Sequence, residues 1–351
     1  MAEKKIFVVG VQIGGGAPVT VQSMTTTLTR DIAATVSQIR ELEVRGCDIV
    51  RVAVPDMESA LAIREIKKRI SIPLVADIHF DYRLAIAAVE SGADKIRINP
   101  GNIGSADGVR EICAACTERK IPIRVGVNGG SLGKKILAKF GGITAEAMYE
   151  SAREHVLLLN EFGFDDICIA VKTSDVPLTI AAYRLINENM DYPLHIGVTE
   201  AGTEYMGIIK SAVGIGALLA DGIGDTIRVS LTADPVREVD AGLAILKALG
   251  LRKSGYELIS CPTCGRCGID LILMAEEVER RLKAQNRDIT VAVMGCVVNG
   301  PGEAARADFG IAGGNKEGVI FIKGQVVKKV SSERLVDELF VEIEKRGEGQ
   351  V

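Results

Sequence analysis

Eight short runs of β-branched and apolar residues recur along the first 250 residues, and a stretch with helical periodicity follows each run. The runs occupy residues 18–23, 49–54, 73–80, 95–99, 122–128, 166–172, 193–200 and 225–230. Several helical stretches follow a residue that favours helix N-caps, namely Asp56, Ser105, Thr144 and Asp175. Eight strand–helix units in succession predict an α/β fold with a closed (β/α)8 TIM-type barrel. An open doubly wound sheet is the alternative, because periodicity alone does not establish closure.

The pattern changes after residue 250. Residues 256–260 and 289–294 have the composition of strands, and residues 269–284 have helical periodicity between them. A hairpin is predicted over 318–330, turning at Gly324, and an amphipathic helix over 331–346. The chain of 351 residues is therefore expected to hold a barrel at 1–250 and a smaller α+β domain at 251–351.

Polar and charged side chains stand near the ends of the predicted barrel strands, where Val, Ile and Leu usually fill the interior. In strand order they are Arg51, Asp77, His79, Arg97, Asn99, Arg124, Asn128, Lys172, Thr199, Glu200, Arg228 and Ser230. Five strands contribute a cation, and only two of these residues are acidic. Uncompensated buried charge is costly, so the missing negative charge is expected to come from a ligand. An outward-facing side chain is the alternative for any single one of these residues.

Cations that converge on a barrel mouth suit a phosphate ester, and arginine offers two parallel hydrogen bonds to its oxygens. A diphosphate would match this set better than a monophosphate. Glu200 is the expected proton donor or acceptor, with His79 second, because each needs only a modest pKa shift to act near neutrality. His155, within a helix, and His195, at the start of a strand, are expected to be structural.

Three cysteines in the last quarter of the chain have the spacing of metal ligands. Cys261 and Cys264 form a CxxC turn, and Cys296 ends the apolar run at 289–294. Zinc and an iron–sulfur cluster both fit such a set. Cys267 extends the motif to CxxCxxC, so four thiolates are one alternative, and three thiolates with a carboxylate from the loop 299–303 are the other. The scattered cysteines Cys47, Cys113, Cys116 and Cys168 are expected to be small buried hydrophobes.

Composition excludes several classes of protein. A formal net charge of −4 and an aromatic content of 4% predict neither nucleic-acid nor anionic-membrane binding. No apolar run reaches the roughly 18 residues of a membrane span, and the cysteine usage indicates a reducing, cytoplasmic location. No flavin or nicotinamide fingerprint is visible, so electrons for a redox reaction would come from another protein.

Five segments together resemble one enzyme family. They are residues 75–80 (VADIHF), 97–104 (RINPGNIG), 126–128 (GVN), 261–266 (CPTCGR) and 295–303 (GCVVNGPGE). These segments closely resemble bacterial 4-hydroxy-3-methylbut-2-en-1-yl diphosphate synthases, in the form that has two domains. The resemblance implies reductive ring opening and dehydration of 2-C-methyl-D-erythritol 2,4-cyclodiphosphate, in the methylerythritol phosphate pathway of isoprenoid biosynthesis.

The resemblance also implies a [4Fe-4S] cluster held by Cys261, Cys264, Cys296 and Glu303, with ferredoxin or flavodoxin as the electron donor. Cys267 has no counterpart in that ligand set. The family's substrate-binding positions match Arg51, Arg97, Asn99, Arg124, Asn128, Lys172, Thr199, Arg228 and Ser230, with Glu200 as the catalytic residue. Two rival interpretations stay open: another phosphate-ester barrel enzyme with a structural metal module, and a non-catalytic protein whose C-terminal site is a structural zinc module for assembly.

A head-to-tail homodimer is expected from chain geometry and from the resemblance. The last barrel helix runs antiparallel to its strand, so it ends at the face opposite the catalytic one. The segment 251–260 spans at most about 33–36 Å when fully extended. The cluster of one chain is therefore expected to serve the barrel of its partner.

Overall fold

The computed structural model describes residues 2–103, 105–252, 255–285, 287–296, 304, 306–314 and 316–347. The chain divides into two compact units, Met1–Arg252 and Lys253–Val351. Glu303 and the rest of the loop 297–303 lie outside the described residues. Among the described helices, none has the length and hydropathy that a membrane crossing requires.

The first unit opens with a hairpin that the sequence did not predict. Strands β1 (Lys5–Val8) and β2 (Val11–Gly14) pair antiparallel, with Val9 at a positive φ of 57° in the turn. Ile6, Val8 and Ile13 pack with Ile49, Val75 and Cys168, whose side chains belong to the first residues of barrel strands. The hairpin therefore covers the amino-terminal end of the strands with apolar side chains.

Eight parallel strands form the barrel. They are β3 (Thr20–Met24), β4 (Ile49–Ala53), β5 (Leu74–Asp77), β6 (Lys95–Ile98), β7 (Ile123–Asn128), β8 (Ile167–Lys172), β9 (His195–Ile196) and β10 (Thr226–Ile227). Their order is β8-β7-β6-β5-β4-β3-β10-β9. A parallel bridge between Ile169 and Leu194 joins the outer strands β8 and β9, and the Ile169 N–H donates to the Pro193 carbonyl at 2.9 Å. The prediction of a closed barrel rather than an open sheet is confirmed.

Several predicted strands are shorter in the structure than in the sequence pattern. β5 ends at Asp77, and β9 and β10 contain only two paired residues each. His79, Thr199, Glu200, Arg228 and Ser230 therefore follow their strands rather than belong to them. The chain leaves the hydrogen-bonded ladder at the mouth, where side chains line a cavity instead of packing against a neighbouring strand.

Nine helices accompany the barrel strands in the described part of the unit. They are α1 (Ile32–Val44), α2 (Met57–Lys67), α3 (Tyr82–Glu90), α4 (Ala106–Arg119), α5 (Lys134–Phe140), α6 (Ala145–Glu161), α7 (Val176–Asn189), α8 (Glu204–Ala220) and α9 (Pro235–Ala248). The predicted caps are present, because the side chains of Asp56, Ser105, Thr144 and Asp175 each accept a backbone N–H of the first turn. The short helix α5 was not predicted.

In its described residues, the second unit is a mixed sheet with two α-helices. Its elements are β11 (Glu257–Ser260), α10 (Leu271–Gln285), β12 (Thr290–Met294), β13 (Phe309–Ala312), β14 (Glu317–Ile322), β15 (Gln325–Ser331) and α11 (Leu335–Gly347). β11, β12 and β13 are parallel, whereas β14 and β15 are antiparallel. The predicted hairpin turns at Lys323 and Gly324, both at positive φ. The strand β13 was missed, since its four residues carry little signal of their own.

Candidate active site

A polar cavity of about 130 Å³ lies at the carboxyl ends of the barrel strands. Its lining includes eight of the ten predicted substrate and catalytic residues: Arg51, Arg97, Arg124, Asn128, Lys172, Thr199, Arg228 and Ser230. Asp77, His79, Gly126 and Ala170 complete it. Because the strands alternate inward and outward side chains, these inward positions fall at every second residue and converge on one space.

Glu200 and Asn99 lie outside this lining. Glu200 is exposed, has a positive φ of 51°, and lines a neighbouring cavity of about 410 Å³ that also includes Asn128, Lys172 and Thr199. Asn99 is buried and donates from Nδ2 to Ser131 Oγ at 3.1 Å, while its Oδ1 accepts the Gly101 N–H at 3.2 Å. The Asn99 amide thus holds the loops after β6 and β7 together.

Asp77 is the acidic centre of one side of the cavity. Its carboxylate lies 3.2 Å from Arg97 Nη1, 3.8 Å from Arg51 Nε and 3.3 Å from His79 Nε2. Burial by itself raises the pKa of Asp77, but Arg51, His79 and Arg97 outweigh burial and hold the pKa far below its usual range. Asp77 is therefore a fixed anion that orients two arginines.

Arg124 and Lys172 have no carboxylate partner among the described residues. Arg124 is 1% exposed and donates from Nη1 to Gln22 Oε1 at 3.2 Å, and burial with the nearby Arg97 lowers its pKa to about 10. Lys172 is 9% exposed, and its side chain makes neither an ion pair nor a hydrogen bond with the described residues. Burial, followed by the charges of nearby arginines, lowers the Lys172 pKa well below its usual value.

Glu238 on α9 is a buried acid that contacts a cavity-lining arginine and that the sequence did not predict. The side chain is buried, and Oε2 lies 3.4 Å from Arg228 Nε and 3.1 Å from Ser23 Oγ. Its Oε1 accepts the Leu231 N–H at 3.0 Å. The available signal was an acid on the buried stripe of α9, between Pro235 and Val239. A carboxylate on such a stripe needs a buried cation or donors.

Two glycines give the cations room. A Cβ on Gly126 would stand 2.5 Å from Arg97 Nε, and one on Gly197 would stand 2.9 Å from Lys172 Nζ and 2.4 Å from the Arg228 carbonyl oxygen. No larger residue fits at either position without displacing a charged group or backbone. The glycines on β7 and just after β9 therefore help to define the cavity's shape.

Neither remaining histidine is among the residues that line the mouth cavity; His195 is buried, and His155 on α6 is partly buried with its Nδ1 enclosed. Burial lowers the pKa of His155 to about 4, and burial together with nearby cations lowers that of His195 well below its usual value. Both imidazoles are consequently neutral at physiological pH. His195 lies at the first residue of β9, toward the opposite end of the strand from the cavity.

The motif cysteines of the second unit follow two neighbouring parallel strands. Cys261 comes directly after β11, and Cys296 comes two residues after β12. Cys261 Sγ accepts the Gly295 N–H at 3.2 Å, and the Gly268 N–H donates to the Gly295 carbonyl at 3.1 Å. The cysteine turn and the end of β12 are thus tied together, which brings the two halves of the motif to one edge of the sheet.

The thiols differ in their surroundings. Cys264 is exposed, and hydrogen bonds from the backbone and side chain of Arg266 lower its pKa. Cys267 instead donates from Sγ to the Ile269 carbonyl at 3.2 Å and packs against the core of this unit. The Cys267 sulfur is thus engaged within its own turn.

Cys261, Cys264 and Cys296 are thiol donors of the kind that an iron–sulfur cluster takes. Cys261, Cys264 and Cys296 are soft ligands on adjoining loops, and the Cys261 sulfur already accepts a backbone N–H as cluster sulfurs do. Within the described residues no three Cys, His, Asp or Glu side chains are gathered as a metal site. The predicted fourth ligand, Glu303, lies outside the described residues.

A TIM-type barrel with a cation-lined mouth, followed in the same chain by an α+β unit that carries a cysteine motif, defines a class of two-unit TIM-barrel proteins whose mouth is suited to an anionic ligand. Residues 3–243 match the family model described as the GcpE TIM-barrel domain, and residues 257–345 match the GcpE protein C-terminal domain. The chain belongs to the GcpE family.

Curated relatives agree in name. A protein of Caldanaerobacter subterraneus subsp. tengcongensis is 62% identical over 342 residues, covering 97% of this chain and 96% of the relative. Proteins of Ruminiclostridium cellulolyticum and Geobacter sulfurreducens are each 59% identical, covering 97% of this chain and 96% and 97% of the respective relatives. All three are called 4-hydroxy-3-methylbut-2-en-1-yl diphosphate synthase (flavodoxin).

Proposed function

We propose that this chain is an iron–sulfur oxidoreductase that forms (E)-4-hydroxy-3-methylbut-2-enyl diphosphate from 2-C-methyl-D-erythritol 2,4-cyclodiphosphate. This reaction is the reductive ring-opening and dehydration step of the methylerythritol phosphate pathway. The observation that carries the proposal is the barrel mouth, where five cations face two buried carboxylates, Asp77 and Glu238. The names of the curated relatives supply the particular diphosphate.

The arginines and the lysine bind and orient the diphosphate. Arg51 and Arg97, held by Asp77, and Arg228, held by Glu238, present guanidinium groups whose positions are set before the substrate arrives. Preorganised charge of this kind stabilises negative charge that develops during a reaction. Asn99, Asn128, Thr199 and Ser230 add hydrogen bonds, either to the ligand or to the loops that hold it.

Glu200 is the proposed proton-transfer residue. It lines the neighbouring cavity and directly follows Thr199, which lines both cavities, and its exposed side chain can exchange a proton with solvent. Loss of water from the substrate requires that the departing hydroxyl be protonated. A carboxyl group placed beside the ligand site and open to solvent can carry out this proton transfer, so Glu200 suits this task.

Cys261, Cys264 and Cys296 are the proposed cluster ligands, with Glu303 as the fourth. When bound, a [4Fe-4S] cluster supplies single electrons to the substrate. Flavodoxin is the proposed donor to the cluster, as the names of the relatives indicate, with ferredoxin as the alternative. We also propose a reducing, cytoplasmic setting, in keeping with eight free cysteines.

Anaerobic purification followed by metal analysis and turnover tests this function. About four irons and four sulfides per chain, with conversion of the cyclodiphosphate by reduced flavodoxin, are the expected results. A colourless protein with one zinc, and no turnover, would support the rival barrel enzyme with a structural metal module. An iron-loaded protein that does not convert the cyclodiphosphate would contradict the proposed substrate.

A head-to-tail homodimer is proposed as the working form. Arg252, the last residue of the first unit, pairs with Asp48 at 2.8 Å, and Asp48 directly precedes β4. The chain therefore leaves the barrel at the amino-terminal ends of the strands, whereas the cation-lined cavity is at the carboxyl ends. Residues 252–257 span at most about 18 Å when extended. This short reach favours a dimer in which the cluster of one chain acts at the barrel mouth of its partner.

The outer face of α8 supports the presence of a second copy. Tyr205, Met206, Ile209 and Val213 are exposed at helical spacing. Exposed apolar stripes of this kind are typical of interfaces. Val213→Glu is expected to shift the protein toward a monomer in sedimentation, whereas Val44→Glu, at a still more exposed apolar position on α1, should not. A Val213→Glu variant that stays dimeric would remove this face from the interface.

A further inference from the structure

The charge facing the cavity can be counted residue by residue. Arg51, Arg97, Arg124 and Arg228 face two buried carboxylates, Asp77 and Glu238, which leaves two positive charges. A protonated Lys172 makes three. The other acid of the region, Glu200, is exposed to solvent in the neighbouring cavity, so its charge is screened. His79 is half exposed and hydrogen-bonded to Asp77.

Lys172 differs from the other four cations in having no acceptor. Arg51 and Arg97 share Asp77, Arg228 has Glu238, and Arg124 has the Gln22 amide oxygen. Lys172 is equally enclosed, yet its Nζ has no hydrogen bond or ion pair in the described chain. Its ammonium form is therefore the least supported of the five charges.

The groups around Lys172 reinforce this difference. Arg51, Arg97, Arg124 and Arg228 face it from β4, β6, β7 and the end of β10, and the neutral His195 lies on the adjacent β9. Burial and the four arginines together lower the Lys172 pKa well below its usual value. Without a ligand, a proton on this amine is opposed by every neighbouring charge except those of the two carboxylates and the screened Glu200.

The proposed reaction changes the charge of the ligand, and the inference rests on that proposed function. In a cyclic diphosphate each phosphorus keeps one ionised oxygen, so the ring is a dianion. Ring opening leaves the electron pair of a carbon–oxygen bond on a phosphate oxygen, and a phosphate monoester of this kind ionises again with a pKa near about 6. The cyclic dianion therefore takes up two electrons from the donor protein and one proton, and it yields the trianionic product and one water molecule.

We propose that Lys172 compensates the third negative charge by taking up a proton when the open diphosphate is present in the site. With a neutral Lys172 the cavity carries two positive charges and matches the cyclic dianion. With a protonated Lys172 it carries three and matches the open trianion. The newly released phosphate oxygen supplies the hydrogen-bond acceptor that Lys172 otherwise lacks. This contact stabilises the transition state, in which the negative charge develops, more than it stabilises the ground state.

Calorimetric proton linkage tests this proposal directly. The oxidised, cluster-loaded protein is titrated at pH 8 with the cyclodiphosphate, and separately with the open product, in two buffers of different ionisation enthalpy. Without reductant neither ligand is converted. The wild type is expected to take up between about 0.5 and 1 proton more with the open diphosphate than with the cyclic one. The reason is that only the trianion raises the Lys172 pKa from below the pH of the titration to above it.

Lys172→Arg is the matched variant, since it keeps the positive charge but cannot give it up. It should bind the open diphosphate with no extra proton uptake. Lys172→Met should lose at least about tenfold in affinity for the open diphosphate, and less for the cyclic one. Circular dichroism and iron content check that both variants are folded and loaded.

Two outcomes would overturn the proposal. One is equal proton uptake with the two ligands in the wild type, and the other is the same excess uptake in Lys172→Arg. Failure of the wild type to bind either diphosphate would instead refute the proposed function on which the inference rests. The two kinds of failure are therefore distinguishable in one set of titrations.

Discussion

Glu238 and Arg228 form a buried ion pair across the barrel wall, with Oε2 of the acid on α9 lying 3.4 Å from Nε of the arginine. The same carboxylate accepts Ser23 Oγ and the Leu231 N–H. One side chain thus joins β3, the residues after β10 and α9 behind a cavity-lining cation. The cation set depends on this acid for its geometry, although the acid does not line the cavity.

Replacing Glu238 with glutamine should weaken substrate binding more than turnover. The amide keeps the shape but removes the charge that holds Arg228, so we expect a KM increase of about five- to tenfold with kcat changed less, and a loss of about 1–3 kcal/mol in unfolding free energy. Steady-state kinetics and chemical denaturation measure both. Asp240→Asn, on the same helix but away from Arg228, should change neither, and a normal KM in Glu238→Gln would exclude the positioning role.

Alanine substitutions of Arg51 and Arg124 should each lower affinity for the cyclodiphosphate while leaving the cluster intact, and Lys172→Ala should lower it less, because the amine is neutral when the cyclic ligand binds. Each arginine substitution deletes a charge-assisted contact worth about 1.5–3 kcal/mol, or roughly ten- to over a hundredfold in affinity. Titration calorimetry and iron content are the measurements. The exposed Arg110 on α4 offers a control, because Arg110→Ala removes the same group far from the cavity. Unchanged affinity in all three cavity variants would refute the proposed diphosphate site.

Gly126→Ala tests whether the cavity's shape depends on a missing side chain. A Cβ there would stand 2.5 Å from Arg97 Nε, so the guanidinium must move away from Asp77. Substrate affinity is expected to fall by about tenfold, with a modest loss of stability, because overpacking shifts side chains rather than unfolding the chain. Gly133→Ala has open space around the new Cβ and serves as the control. Full affinity in Gly126→Ala would show that Arg97 does not contact the ligand.

Cys267→Ser should leave the iron content and turnover nearly intact. The Cys267 thiol donates to the Ile269 carbonyl, a bond that a serine hydroxyl can replace. Glu303→Ala should lower both iron content and turnover, since it removes the proposed fourth ligand. Iron and sulfide counts with the visible absorption spectrum distinguish the two variants. Loss of the cluster in Cys267→Ser alone would show that the fourth ligand is the Cys267 thiolate and not the Glu303 carboxylate.

Mixing two inactive chains tests the head-to-tail dimer. An Arg51→Ala chain lacks an intact barrel mouth, and a Cys296→Ala chain lacks an intact cluster motif. If sites form between chains, a heterodimer contains one site built from two intact halves, and activity should return to about a quarter of the wild-type level after random exchange. Mass spectrometry must show that heterodimers are present. Their presence without activity would place the whole site within one chain.

Local patterns in the sequence were enough for the barrel, most of the second unit and most of the site. The caps at Asp56 and Asp175 predict helix starts because one side chain satisfies the N–H groups of the following turn. The polar strand ends predict a binding mouth, because in a (β/α)8 barrel all carboxyl ends meet at one face. Eight of the ten predicted substrate and catalytic residues line one cavity for this reason.

The tertiary structure alone decided the features that depend on distant partners. Closure rests on the bridge from Ile169 to Leu194, and the covering of the barrel floor rests on Ile6 and Val8, which pack with residues more than forty positions away. Glu238 resembles any helical glutamate until α9 packs on the barrel and brings it to Arg228. Periodicity and capping involve residues that are close together in the chain, so both can be recognised in the sequence. The pairing of buried charges depends on three-dimensional packing. A buried ion without a partner is destabilising, so the fold brings together partners that are far apart in the sequence.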